Sequence, residues 1–320
     1  LIGNPDLCAF GDEQIPRNPL KLMQSLCMKL RVLSFAAFFP LATLAFSEEE
    51  PLKIEGAPDP EEVAADAAGP GGEIPDDLRD DAEVSADLAV NQFTAPSISK
   101  MFDTLQYLTP LPIAETAREM PARMSLDRAD LAIELGFLIA DGFLMVQAEQ
   151  LKDVEKMARD LTRYGKALGV GDGVNRHSAG LLESAKKGDI PQLKLELAAT
   201  QRDVEAELVS LRDSDLAHLI SLGGWIRALE VSSVGVDKQF SIKRARKVMR
   251  KDIAEYYSDC ITGLEPRISA RPSYIAMRDL LEGLSKKMDL DVGQKPTPEL
   301  MKEVREISTE LVEIALKRGS

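Results

Sequence analysis

Histidine, tryptophan and cysteine are scarce in this chain of 320 residues, numbering two, one and three. Two distant histidines, His177 and His218, leave little for a nucleophilic triad. A metal site inside a helical bundle asks for several carboxylates and normally two carboxylate–histidine pairs at helical spacing. Asp215 and His218 have that spacing, but Val174 stands where His177 would need its acid. No metal is expected. Cys-x-x-Cys-His does not occur, which excludes covalent haem attachment through that motif. Gly-x-Ser-x-Gly is also missing, and no catalytic residue and no cofactor can be assigned. Cys8 and Cys27 lie before the apolar run described below, so beyond it Cys260 stands alone and cannot close an intramolecular disulfide. Alternation with period two is never sustained, so the sequence asks for no sheet.

A short apolar run is the most informative feature present. Lys29 and Arg31 precede Val32–Phe46, 15 residues interrupted by Pro40, and Ala45 and Ser47 are small residues at its end. That order of basic, apolar and small residues is the anatomy of a secretory signal peptide over 28–47, with cleavage expected after Ala45 or Ser47. The run falls short of the roughly 20 apolar residues that a spanning helix needs. The expected location is outside the cytoplasm, periplasmic or secreted. Residues 1–27 show no periodicity and are expected to be upstream translation from before Met28.

The formal charge of −14 is unevenly spread. Residues 48–92 hold 15 acidic and two basic residues, whereas 1–47 and 93–320 are each close to neutral. With Pro51, Pro58, Pro60, Pro70, Gly71, Gly72 and Pro75 among those acids, 48–92 is expected to be a disordered linker. A near-neutral domain carries no footprint for nucleic acid.

From Phe93 onward the pattern is helical. Short helices are expected near Ile98–Leu108 and Ile113–Met120, then eight main ones near 126–149, 151–168, 175–187, 190–211, 214–235, 238–260, 272–288 and 298–317. Leu300, Val304, Ile307, Leu311 and Ile314 trace one apolar face, with Thr297 as N-cap and Pro298 at the first helical position. Asp189 and Pro191 start another helix in the same way. Gly169-Val-Gly171-Asp172-Gly173 follows a helix, not a strand, so it reads as a helix-ending turn and not a phosphate loop.

The eight helices divide into two possible sets of four. Asp130-Leu-Ala132 with Leu135-Gly136 resembles Asp215-Leu-Ala217 with Leu222-Gly223. Leu181-Leu-Glu183 with Lys186-Lys187 resembles Leu280-Leu-Glu282 with Lys286-Lys287, and Pro191-Gln-Leu193 resembles Pro298-Glu-Leu300. The fold expected is an all-α bundle of about eight main helices behind the acidic linker, with an internal duplication into two four-helix halves as one reading of it.

Two clusters are candidates for binding. The helices opening each set are the most apolar, and their few polar groups, Glu134 and Asp141 on one and His218, Trp225 and Arg227 on the other, could form a ligand site if they converge. The second cluster is the basic run Lys243, Arg244, Arg246, Lys247, Arg250 and Lys251. Placed on one helix, it leaves Ile242, Ala245, Met249, Ile253, Tyr256 and Cys260 as an inward stripe. That basic amphipathic face suits an acidic partner or an anionic membrane surface, and the acidic linker could fold back on it. Cys260, on the apolar stripe, reads as a buried inert thiol. The expected role is binding or structural interaction with a protein or envelope partner. A carrier of a small apolar ligand between the central helices, or an enzyme built on their buried polar groups, are the alternatives.

Overall fold

The computed structural model describes residues 74–79, 96–121 and 123–317, all within one compact unit that spans 57–320. Residues 1–27, the signal-like segment 28–47 and most of the acidic linker lie outside the described residues. The described residues form ten α-helices and no strand: α1 Ile98–Leu105, α2 Arg128–Gln147, α3 Val154–Leu168, α4 Gly171–Lys187, α5 Ile190–Ser210, α6 Ser214–Lys238, α7 Ile242–Val248, α8 Lys251–Gly263, α9 Pro272–Met288 and α10 Pro298–Leu316, with a single further turn at Pro266–Ser269.

Local chemistry sets most of these boundaries. Asp127 caps α2 by accepting from the Ala129 and Asp130 backbone N–H groups at 2.9 and 3.2 Å. Asp189 caps α5 through Gln192 N–H, and Thr297 caps α10 through Leu300 N–H, each followed by a proline in the first turn. Gly169 (φ 84°) and Gly188 (φ 68°) end α3 and α4 in the left-handed conformation that glycine adopts without steric cost. Gly171 and Gly173 already belong to α4, so that helix starts four residues earlier than the sequence pattern indicated.

Two elements depart from expectation. Residues 113–120 form only a turn, because the Pro112 carbonyl takes both the Glu115 and Thr116 N–H groups and Pro121 disfavours helix in the residue before it. The single helix expected over 238–260 is two. Helix α6 runs on to Lys238, Ser241 caps α7, and Met249 and Arg250 leave helical geometry before α8 begins. No glycine or proline marks that break.

Helices α2 and α6 are buried on nearly every side and form the centre. Around α2 run α3, α4 and α5, each packed on the next, with α5 returning to α2. Around α6 run α7 and α8, then α9 and α10, with α10 returning to α6. Helix α5 also touches α6, and α10 touches α2. At the crossing, a Cβ on Gly136 would stand 1.9 Å from the Ile220 carbonyl oxygen, and one on Gly223 would stand 2.3 Å from the Ile133 carbonyl oxygen. The contact is reciprocal: Gly136 to Gly223 and Ile133 to Ile220 are the same step of 87 positions. The next residue, Gly224, gives room to the Ile98 side chain at the start of α1.

The six residues 74–79 correct the expectation of disorder through 48–92. Leu78 is buried against the bundle, and its carbonyl accepts the Ser97 N–H at 3.0 Å. The acidic composition hid one leucine with a place to go.

The crossing yields a stability prediction. Gly136→Ala and Gly223→Ala each drive a methyl group into backbone, so each is expected to cost about 3 kcal/mol or more in urea unfolding. Gly283→Ala, in α9 with open space around it, is expected to stabilise by about 0.5–1 kcal/mol.

Candidate functional site

The candidate residues of the central helices fall into two separate arrangements. Arg227, 2 % exposed, donates from Nε to Asp141 Oδ1 at 2.7 Å and from Nη1 to Glu230 Oε2 at 2.6 Å. Arg118, from the loop before α2, donates to the other Glu230 oxygen. Two guanidiniums and two carboxylates thus neutralise each other across α2 and α6. Burial pushes the Asp141 carboxyl above its ordinary value, while the Arg227 guanidinium pulls it the other way. Because desolvation offsets most of the attraction in such a network, its main effect is to fix how α2, α6 and the loop register. Glu134 is buried two helical turns earlier on α2.

His218 and Trp225 point into a second cluster, with α8. Tyr256 hydroxyl and His218 Nδ1 are 3.0 Å apart, and Cys260 lies one helical turn beyond Tyr256 on α8. Burial lowers the His218 pKa to about 4 and raises those of the Tyr256 phenol and the Cys260 thiol, the latter to about 12. At neutral pH His218 is therefore neutral, and Cys260 is a protonated, unreactive thiol. Trp225 packs on Tyr257, with ring centroids 5.3 Å apart. Tyr257 hydroxyl in turn lies 2.6 Å from Ser221 Oγ, which also bonds the Pro96 carbonyl. Gln201 completes this seam by accepting the Ile98 N–H at 2.9 Å and donating to Glu205. These bonds tie the entry of α1 to α5, α6 and α8. Asp215, at metal-ligand spacing from His218, instead accepts the Glu265 N–H at 3.4 Å.

His177 sits between two carboxylates of α5, with Nδ1 2.9 Å from Glu196 and Nε2 3.1 Å from Asp203. It fastens α4 to α5. Among the described residues no group of three or more His, Cys, Asp or Glu side chains is arranged to hold a metal ion.

The basic run is not one face. Arg244 turns inward, donating to the Leu108 carbonyl at 2.8 Å, and Ile242, expected inside, is 38 % exposed. Arg250 grips Asp77 with both terminal nitrogens, at 2.7 and 2.9 Å, and also Asp252. Lys251 pairs with Asp289 and Glu255. Lys243 and Arg246 have no carboxylate partner among the described residues, and Lys247 Nζ lies 5.1 Å over the ring of Tyr107, itself 73 % exposed. Lys243, Arg246, Lys247 and Arg250 line an open cleft of about 620 Å³, together with Ile242 and Asp77. Beneath it a narrow apolar cleft of about 40 Å³ is bounded by Leu78, Met101, Leu105, Trp225 and Val248. Trp225 is the one residue of the central-helix candidates that reaches either cleft.

Sequence analysis missed Glu230, although its i, i+3 spacing from Arg227 is a signal that could have found it, and placed Tyr256 on a buried stripe. It gave no sign of Arg118, Gln201 or Asp77, whose partners lie far along the chain. No protein-family model matches the chain, and comparison with curated proteins and with solved structures gives no match.

A neutral buried His218 makes stability depend on pH. Its folded pKa lies below the unfolded value near 6.5, so its contribution is full above pH 6.5 and is lost as pH falls toward 4. His218→Gln keeps a neutral side chain there. The wild-type advantage over this variant in urea unfolding is expected to shrink by about 2 kcal/mol between pH 7.5 and pH 5; an unchanged difference would refute the assignment.

Proposed function

We propose that this chain is an exported interaction protein that binds an acidic partner at the cationic cleft of α7. The observation that carries this reading is the set of Lys243, Arg246, Lys247 and Arg250 around one open cleft, beside exposed Ile242 and Tyr107. Two of those cations have no carboxylate partner among the described residues, unlike the self-neutralised charges of the interior. An electrostatic site of this kind gains from low salt and loses when its sign is reversed. An acidic protein fits better than a flat anionic membrane, because the cations line a concavity. A carrier between the central helices has less support, since α2 and α6 meet backbone to backbone where a ligand would have to lie and ligand pockets run to about 300 Å³ or more. An enzyme on Asp141, His218 and Arg227 has less support too, since those groups are engaged in two separate clusters.

The test is charge reversal. Lys243→Glu/Arg246→Glu/Lys247→Glu is expected to lower affinity for a fluorescent oligoglutamate at least tenfold at 50 mM salt, with unchanged melting temperature. Equal binding by variant and wild type would remove the cleft as the site.

The export reading rests on Met28–Phe46 and on the acidic stretch that follows. Protein recovered from the outside of expressing cells is expected to begin at Phe46 or Glu48 by mass spectrometry. Retention in the cytoplasm with the apolar run intact would reject it.

We also infer that the two helical rings descend from one four-helix unit. In each ring three outer helices pack in succession and the last returns to the central helix, α3–α4–α5 to α2 and α8–α9–α10 to α6, with α7 as an addition to the second. The crossing is reciprocal at a step of 87. Buried positions keep phase in the last helices, where Leu197 answers Val304 and Val204 answers Leu311 at a step of 107. Superposition of the rings at these steps is the criterion; buried faces out of phase by half a turn would refute common descent.

A further inference from the structure

We propose that the groove under the cationic cleft is a docking site for a short peptide in which an acidic residue directly precedes a leucine, and that the chain's own Asp77–Leu78 fills it in cis. This rests on the reading of the cleft as an acidic-partner site and names what the site recognises. Leu78 is buried in an apolar slot between α1, α6 and α8 that is bounded by Met101, Leu105, Trp225 and Ile253. Immediately before it, Asp77 spans the two terminal nitrogens of Arg250 at the rim, in bidentate fashion. Leucine anchor and carboxylate clamp are adjacent in sequence and are met by adjacent features of the groove, so the pair reads as one recognition element.

The segment that carries this pair is short. Asp76–Leu78 make a single turn closed by Leu78 N–H to the Pro75 carbonyl, and Arg79 Nε donates back to the Ile74 carbonyl. The Leu78 carbonyl and side chain, the Asp77 clamp and the partly buried Ile74 join it to the bundle. Asp77 is 58 % exposed in that clamp, which places the ion pair in water and open to competition. The slot still has about 40 Å³ unfilled. Beyond Leu78, the cations Lys243 and Arg246 continue the groove without partners among the described residues. An incoming peptide with more acidic residues flanking its leucine would satisfy all that Asp77–Leu78 satisfies and these cations as well. The cis segment thus sets a threshold that a partner must exceed, as an effective concentration that any ligand in trans must compete with.

The full chain is tested with a fluorescein-labelled peptide of residues 73–80 and an oligoglutamate of equal length, by anisotropy at 50 mM salt. Asp77→Lys/Leu78→Asp, which expels the cis segment, is expected to bind the 73–80 peptide at least tenfold more tightly than wild type. Adding Arg250→Glu should abolish the gain. Because Leu78 is buried, Asp77→Lys alone serves as the second variant; its site is exposed, and a gain of at least threefold is expected. Equal peptide affinity in wild type and both variants, with unchanged circular dichroism, overturns the proposal. Oligoglutamate bound as tightly as the 73–80 peptide by the released variants leaves the cationic cleft standing and overturns this recognition element. No binding of either peptide to any form overturns both. Concentration-dependent dimers of wild type that Leu78→Asp abolishes would assign the groove to a second copy and overturn an outside partner.

Discussion

Where α2 crosses α6, glycine hydrogens stand in for side chains and the two backbones touch. Gly136 against the Ile220 carbonyl and Gly223 against the Ile133 carbonyl leave no distance to adjust, so the rotation and height of both helices are set there. Two helices this apolar must be covered on every other side. The covering is shared out evenly: α5 and α10 each touch both of them, while α3 and α8 close the flanks. The entry of α1 fills the remaining gap by setting Ile98 against Gly224, with its backbone satisfied by Gln201.

The charges of this protein are used in two opposite ways. Inside, Asp141, Arg227, Glu230 and Arg118 are matched one for one, and His218 is kept neutral by its burial. Such groups are costly to leave unmatched and do little when matched except hold a geometry. At α7 the reverse holds. Cations outnumber nearby carboxylates, the surface is concave, and apolar residues lie exposed beside them. That imbalance is what supports the proposal of a binding surface at α7.

Much of this architecture was legible in the sequence, and the failures have physical causes. Caps at Asp189 and Thr297, the glycine stops and the long apolar helices follow from nearest-neighbour chemistry, which a sequence displays directly. The break at Met249–Arg250 was hidden because no glycine or proline marks it. Placing 238–260 on one helix then put Ile242 inside and Arg244 outside, the reverse of what the two shorter helices do. Leu78 was lost among acids because composition averages over a window, whereas burial is decided residue by residue. Glu134, Asp141, His218, Trp225 and Arg227 stand out in the sequence against apolar surroundings. Periodicity could not say that Asp141 and Arg227 would meet while His218 turned to Tyr256.

The reciprocal crossing also bears on the order in which the chain can assemble. Helices α3, α4 and α5 follow one another closely and pack as neighbours, as do α8, α9 and α10. Contacts between such neighbours close short loops and form early, whereas the touch of Gly136 on Ile220 requires most of one ring to be threaded between its ends. Assembly from two local halves that then dock through a tight, sterically exacting seam places that seam late on the folding pathway. A defect there accordingly acts on how fast the finished protein comes apart more than on how fast each half forms.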